Sequence, residues 1–188
     1  FNFKVNFEKT DITEFPELEQ YMLHKIFALN SKFNKYFELY NFHNLYKDLL
    51  NFCTLDLSAF YFDIRKDVLY CDPADSVKRK YAIKFLNIVL EILLRWFAPI
   101  LSFTSEEIYS LIKTDTNKSI HLEKFSDIPS KWYNNNLSNK WIELIKIRET
   151  CNSSIERKRA SKEIGSSLEA NLTINLSDKL IELTKGID

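Results

Sequence analysis

The residues in this sequence best placed to do chemistry are two groups of cations, and the chemistry they could do is the holding of phosphate. Lys78, Arg79 and Lys80 stand together in the first turn of a helical pattern. Positive side chains there oppose the helix dipole, unless Asp72 and Asp75 offset them or an anion is bound. Both readings stay open. Between positions 140 and 163 seven cations (Lys140, Lys146, Arg148, Arg157, Lys158, Arg159 and Lys162) face four glutamates. Lys146 and Arg157 fall on one helical face, roughly 16 Å apart at α-helical rise. That spacing could track a nucleic-acid backbone, and it suits a solvated surface helix equally well. Arg148 falls on the stripe of Trp141, Leu144, Cys151 and Ile155, which predicts a half-buried guanidinium paired with a carboxylate or aimed across a groove.

Other chemistries find little support. Asp63, Lys66 and Asp67 share one helical turn, a spacing that gives a carboxylate dyad far less often than a solvated face with local ion pairs. The 3 cysteines, Cys53, Cys71 and Cys151, form no CxxC, and the 3 histidines lie far from them. Free thiols in a reducing compartment are expected, with no metal site. No Ser/His/Asp or Cys/His order stands out, and 2 glycines leave no room for a Gly-rich phosphate loop.

The elements that must position these groups follow from patterning. With 188 residues, 45% of them apolar and 14% aromatic, the chain can bury a sizeable core. Lys+Arg and Asp+Glu both number 26, so no overall field steers it to a polyanion; any such binding is local. A helix is predicted from Pro16 to about Tyr40, and a second helical region over 43–70, interrupted near 54–56 where Asp56 could cap a new start. Leu57, Phe60, Tyr61, Ile64 and Val68 form its apolar stripe. A third helix over 77–97 is apolar on most sides and is expected at the centre of the bundle, with Leu90 at its heart. Pro99 ends it, and Thr104 with Glu107 reads as a capping box for a fourth helix ending near Lys113. Residues 114–137 read as a linking loop. A fifth helix runs from about Ser138 to Lys162, stopped by Gly165. Over 168–176, Leu168, Ala170, Leu172, Ile174 and Leu176 alternate with mostly polar residues, which predicts a strand whose partners lie in 1–7 or beyond the chain. The apolar run 82–101 is broken by Lys84, Glu91 and Arg95, so no membrane span is expected and the protein is expected in the cytoplasm.

Three stretches in order carry a resemblance: "LSAFYFDIRKDVLYCDPADSVKR", "LLRWFAPILSFTSEEIY" and "KIRETCNSSIERKRASKEIGSSLEANLTI", with "FPELEQYMLHKI" ahead of them. Together they resemble the anticodon-binding region of bacterial isoleucyl-tRNA synthetases over about 17–174. The resemblance implies a mainly α fold, the anticodon-binding helical bundle of class I aminoacyl-tRNA synthetases, with a short β element near the C-terminus. It implies a bundle over 1–130 and, over 131–188, a helix and strand opening a small α/β subdomain. It also implies tRNA charging with isoleucine, driven by ATP, in a longer parent whose catalytic domain lies elsewhere in the same chain. No catalytic residue is expected here: the family's HIGH-type and KMSKS-type signatures are absent. "KRASK" is superficially similar to the lysine loop, but sits inside a helical pattern. Cysteine ligands for the zinc element that often closes such chains are also missing, so no cofactor is expected in this stretch.

The expected partner is isoleucine tRNA at its anticodon region, with Lys146, Arg157 and Lys162 as first backbone contacts and Lys78, Arg79 and Lys80 as second. Tyr61, Trp132 and Trp141 are the aromatics expected nearby, Trp141 rather as core. The same domain of a valyl-, leucyl- or methionyl-tRNA synthetase is the nearest alternative. A helical protein-interaction module is the other, since zero net charge is unusual for a tRNA binder.

Overall fold

The computed structural model describes Phe7, residues 9–112 and residues 118–185. The chain divides into two compact units, Phe1–Tyr133 and Asn134–Asp188. Each is helical, and among the described residues no strand forms.

In the first unit α1 (Glu17–Glu38) and α2 (Phe42–Asn51) pack against each other, and α2 continues without a break through Phe52–Phe62 into α3 (Asp63–Cys71). The middle stretch is a π-helix, whose hydrogen bonds reach five residues rather than four. Its wider turn suits the apolar spacing: Phe52, Leu57 and Tyr61, five and four residues apart, are all buried. The expected interruption near Asp56 is therefore absent. An unbroken backbone has no orphan N–H groups for Asp56 to cap, and its carboxylate pairs with Lys25 instead.

The next helix, α4 (Val77–Phe97), starts and stops where local chemistry predicts. Ser76 accepts from the Arg79 N–H at 3.4 Å, and Pro99 forbids continuation. It is not the sole centre. Nine of the 22 residues of α1 are buried against eight of the 21 of α4, so the two share the core. Met22, Leu23 and Ile26 of α1 and Phe85, Ile88 and Ile92 of α4 are essentially inaccessible, each contributing about 1.5–3 kcal/mol of burial for its larger side chains. Leu90, expected at the heart, is only half-buried and edges a second cluster of Leu94, Ala98, Tyr109 and Ile120. Aromatic contacts at 4.6 Å (Tyr61–Phe85) and 4.7 Å (Phe33–Trp96) tie the layers together.

The helix after Pro99, α5 (Ser102–Ile112), begins ahead of Thr104, so the capping box does not form. Its N–H groups are met by the preceding turn, as Ser105 N–H donates to the Leu101 carbonyl at 2.9 Å. The neighbouring Glu106 does the work of a cap elsewhere, accepting from Ser119 Oγ (2.8 Å) and the Ile120 N–H (3.0 Å). The expected linking loop, as far as residues 118–133 describe it, is packed: Ile120, Ile128 and Trp132 are buried in or beside two short 3-10 turns.

The second unit consists of α6 (Asn135–Ala160), a 3-10 turn at Ser167–Glu169, a stretch without regular secondary structure and α7 (Asp178–Thr184), which packs on α6. The strand expected over 168–176 is corrected here. Ala170 has extended backbone angles, but Leu168, Leu172 and Ile174 are exposed and no ladder is formed among the described residues. Alternation gives a chain the shape of a strand; a second strand must supply the hydrogen bonds. Of the proposed partner segment 1–7, residues 1–6 lie outside the described residues.

Candidate nucleic-acid interface

The second unit carries its cations on one long helix. Asn134 opens α6 by accepting from the Leu137 N–H at 3.0 Å. Its unbroken course to Ala160 keeps Lys146 and Arg157 roughly 16 Å apart along the axis. Both are exposed. Lys146 reaches Glu143 at 2.7 Å, an exposed pair of the kind worth under about 1 kcal/mol and easily surrendered to a phosphate. Among the described residues the Arg157 Nε–H donates to the Ser153 carbonyl, at 3.4 Å, and the side chain carries no ion pair. Arg148, one face round, is half-buried as its place on the apolar stripe predicts.

At the end of α6 the helix is closed by Lys162, not by Gly165. Lys162 takes a left-handed φ of 60°. Its N–H donates to the Arg159 carbonyl and the Glu163 N–H to the Lys158 carbonyl, both at 3.0 Å, which is the Schellman closure usually given to glycine. Lys158 is drawn into this cap by an ion pair with Glu163, and Ser161 Oγ donates to the same carboxylate at 2.8 Å. These two bonds hold the Glu163 carboxyl below its ordinary pKa, Lys158 the more strongly. Lys158 is thus paired, and both it and Lys162 are exposed. Glycine at 162 relieves about 1 kcal/mol of backbone strain that alanine retains, while both remove the charge. Lys162→Gly is therefore expected to melt a few degrees above Lys162→Ala, and equal melting temperatures for the two would show the cap to be relaxed.

The first unit holds the other three candidates, in the turn between α3 and α4. Asp72 is the hinge of that turn. Its Oδ2 accepts from Ser76 Oγ at 2.7 Å, and its carbonyl accepts from an Arg79 terminal nitrogen at 2.6 Å. Arg79 is half-buried and fastens α4 to the end of α3 through the Asp72 main-chain carbonyl, while the Asp72 carboxylate is taken by Ser76. Lys78 is half-buried and Lys80 exposed. Of the three, Lys80 has the charge most open to a phosphate.

The aromatics expected beside these cations are all interior. Tyr61, Trp132 and Trp141 are buried and offer no face to a base. Asp63 and Lys66 form an exposed ion pair at 2.9 Å, the solvated face that their spacing favours over a catalytic dyad. The charge between them behaves differently: Arg65 is buried and grips the buried Glu19 of α1 with two bonds, Nε to Oε1 at 2.7 Å and a terminal nitrogen to Oε2 at 2.8 Å. The Tyr61 hydroxyl donates to the same carboxylate at 3.0 Å, and burial together with that carboxylate drives the phenol far above its ordinary pKa. Sequence reasoning missed this triad. The signal was there, because Glu19 sits at i with Met22, Leu23 and Ile26 at i+3, i+4 and i+7, a position meant for the core.

Among the described residues no three His, Cys, Asp or Glu side chains converge to hold a metal, and no helix is long and apolar enough to cross a membrane. Comparison with known proteins gives one consistent answer. The sequence is 60% identical over 98% of its length to the isoleucine–tRNA ligase of Pelagibacter ubique (strain HTCC1062). It is 38% identical over 96% of its length to the isoleucine–tRNA ligase of Bartonella quintana (strain Toulouse), and 38% over 93% to that of Mesorhizobium japonicum. The chain spans about a fifth of the length of these relatives: 20%, 19% and 18%. Residues 19–174, which include all but the first two residues of α1, the whole of α2 to α6 and every candidate contact, match the family model described as the anticodon-binding domain of tRNA ligase, and the chain belongs to that family.

Proposed function

We propose that this chain is the part of an isoleucine–tRNA ligase that receives the anticodon region of isoleucine tRNA. The observation that carries the reading is the 60% identity, along nearly the whole chain, to a protein named as that ligase. In this reading the parent couples isoleucine to its tRNA at the expense of ATP in the cytoplasm, and its catalytic domain binds ATP elsewhere in the same chain. A zinc element of the parent has no ligand set among the described residues here. Residues 170–177 take their place in a β element that the rest of the parent completes.

The chain's own contribution is positioning. Lys146, Arg157 and Lys162 hold backbone phosphates on the α6 side, with Lys80 and Lys78 as a second set; Arg79 orders the turn that presents them. Phosphate contacts of this kind set register and supply the salt-dependent part of affinity. Titration against isoleucine tRNA and a non-cognate tRNA at two salt concentrations tests the reading. Tighter cognate binding that weakens steeply with salt is expected. Replacing Lys146 and Arg157 together by Ala should make the log–log salt slope shallower by about two units. Salt-insensitive binding would point to the protein-interaction alternative, and an unchanged slope would return these two residues to ordinary surface charge.

A further inference from the structure

Tyr40 follows the last turn of α1 with a φ of 53°, the left-handed position where glycine is the least costly residue. The ring gains nothing from burial in exchange, since it is 79% exposed. It begins a row. Tyr40 meets Phe42 edge-on at 6.2 Å, Phe42 meets Phe37 at 5.9 Å, and Phe37 meets Phe125 at 4.9 Å. Phe42 and Phe125 are themselves 52% and 42% exposed. Phe37 and Phe42 of this row, with Tyr46 and Trp96, line a groove of about 440 Å³. Four linked aromatic rings beside an open groove form a surface built to be covered.

The charges around the row indicate by what. Lys35, His43, Lys47 and Lys124 are exposed and each lies within two residues of one of these rings or of Tyr46, which also lines the groove. Two of the nearby carboxylates are already engaged. Asp48 accepts from the Tyr36 hydroxyl (3.1 Å) and from Lys32 (3.4 Å), while Glu123 accepts from Tyr109 (2.7 Å) and Arg95 (3.5 Å). Glu38 and Asp127 remain exposed. Protein interfaces share the enrichment in aromatics but are depleted in lysine. Aromatic faces flanked by lysines are the arrangement that holds unstacked bases of a single-stranded loop.

We propose that Tyr40 and Phe42 form a base-stacking platform for the single-stranded anticodon loop, with the flanking lysines on its phosphates. The strained backbone at Tyr40 is kept because it holds the ring outward. This rests on the tRNA reading above and adds residues not named there.

The test uses isoleucine tRNA carrying 2-aminopurine in the anticodon loop, titrated with this chain. Wild type should bind and change the probe's fluorescence, and Tyr40→Phe should do the same. Loss of one stacked base is expected to weaken binding roughly 5- to 100-fold in Phe42→Ala and in Tyr40→Gly. Tyr40→Gly gives the sharpest contrast, since it should raise the melting temperature while lowering affinity, whereas a merely structural tyrosine would not separate the two. If wild type binds in a salt-dependent way but both variants bind equally well with the same fluorescence change, the platform is wrong and the tRNA reading survives. If wild type binds no tRNA, both fall.

Discussion

Replacing Arg65 by Ala is expected to unfold the first unit under conditions where the wild-type chain is folded. Arg65 is 4% exposed and the Glu19 it grips is fully buried. Truncating the guanidinium strands a carboxylate that has only the Tyr61 hydroxyl left among its observed bonds. Removing one partner of a buried pair costs about 3–5 kcal/mol, against a total stability of about 5–15 kcal/mol for a domain. The same reasoning sets the control. Replacing Glu19 by Leu and Arg65 by Met together removes both charges at similar volume, and should cost far less than the single change. Urea denaturation of the three proteins measures this. An Arg65→Ala midpoint close to wild type would mean that the carboxylate finds another way to be solvated.

The second large effect is expected at Ile88, whose side chain is fully buried in α4. An aspartate there has no water and no counter-charge, a burden of several kcal/mol. Ile88→Asp should lose the helical circular dichroism transition at ordinary temperatures. Leu90→Asp, two residues on, should retain it with a lowered melting temperature, because that position is half-buried. If Leu90→Asp proves the more damaging, the second cluster around Tyr109 and Ile120 carries more of the fold than the burial pattern indicates.

The contrast between Ile88 and Leu90 shows what the sequence discloses and what it withholds. Signals that act within one turn are legible: Ser76 and Pro99 bracket α4 because capping and the missing proline N–H are local chemistry. The candidate cations on α6 were legible for the same reason, as charges on a helical face. Which side of an apolar helix faces deepest depends on neighbours far along the chain, and periodicity is silent on that. The Glu19–Arg65 bond joins residues 46 apart. The aromatics failed in the same way, since composition cannot tell that Trp132 is interior while Tyr40 stands in solvent. Lys162 in place of Gly165 is a subtler case, where a rule about residue type was overruled by hydrogen bonding at the helix end.

The π-helix over Phe52–Phe62 makes the length of this chain as constrained as its side chains. One residue removed from that stretch would rotate everything after it around the helix axis. Arg65 would swing away from Glu19, and Tyr61 from Phe85. Substitutions in 52–62 can be absorbed one side chain at a time, but a gap cannot, because it acts on every downstream contact at once. Relatives aligned through this segment should therefore vary in letters and hold their count.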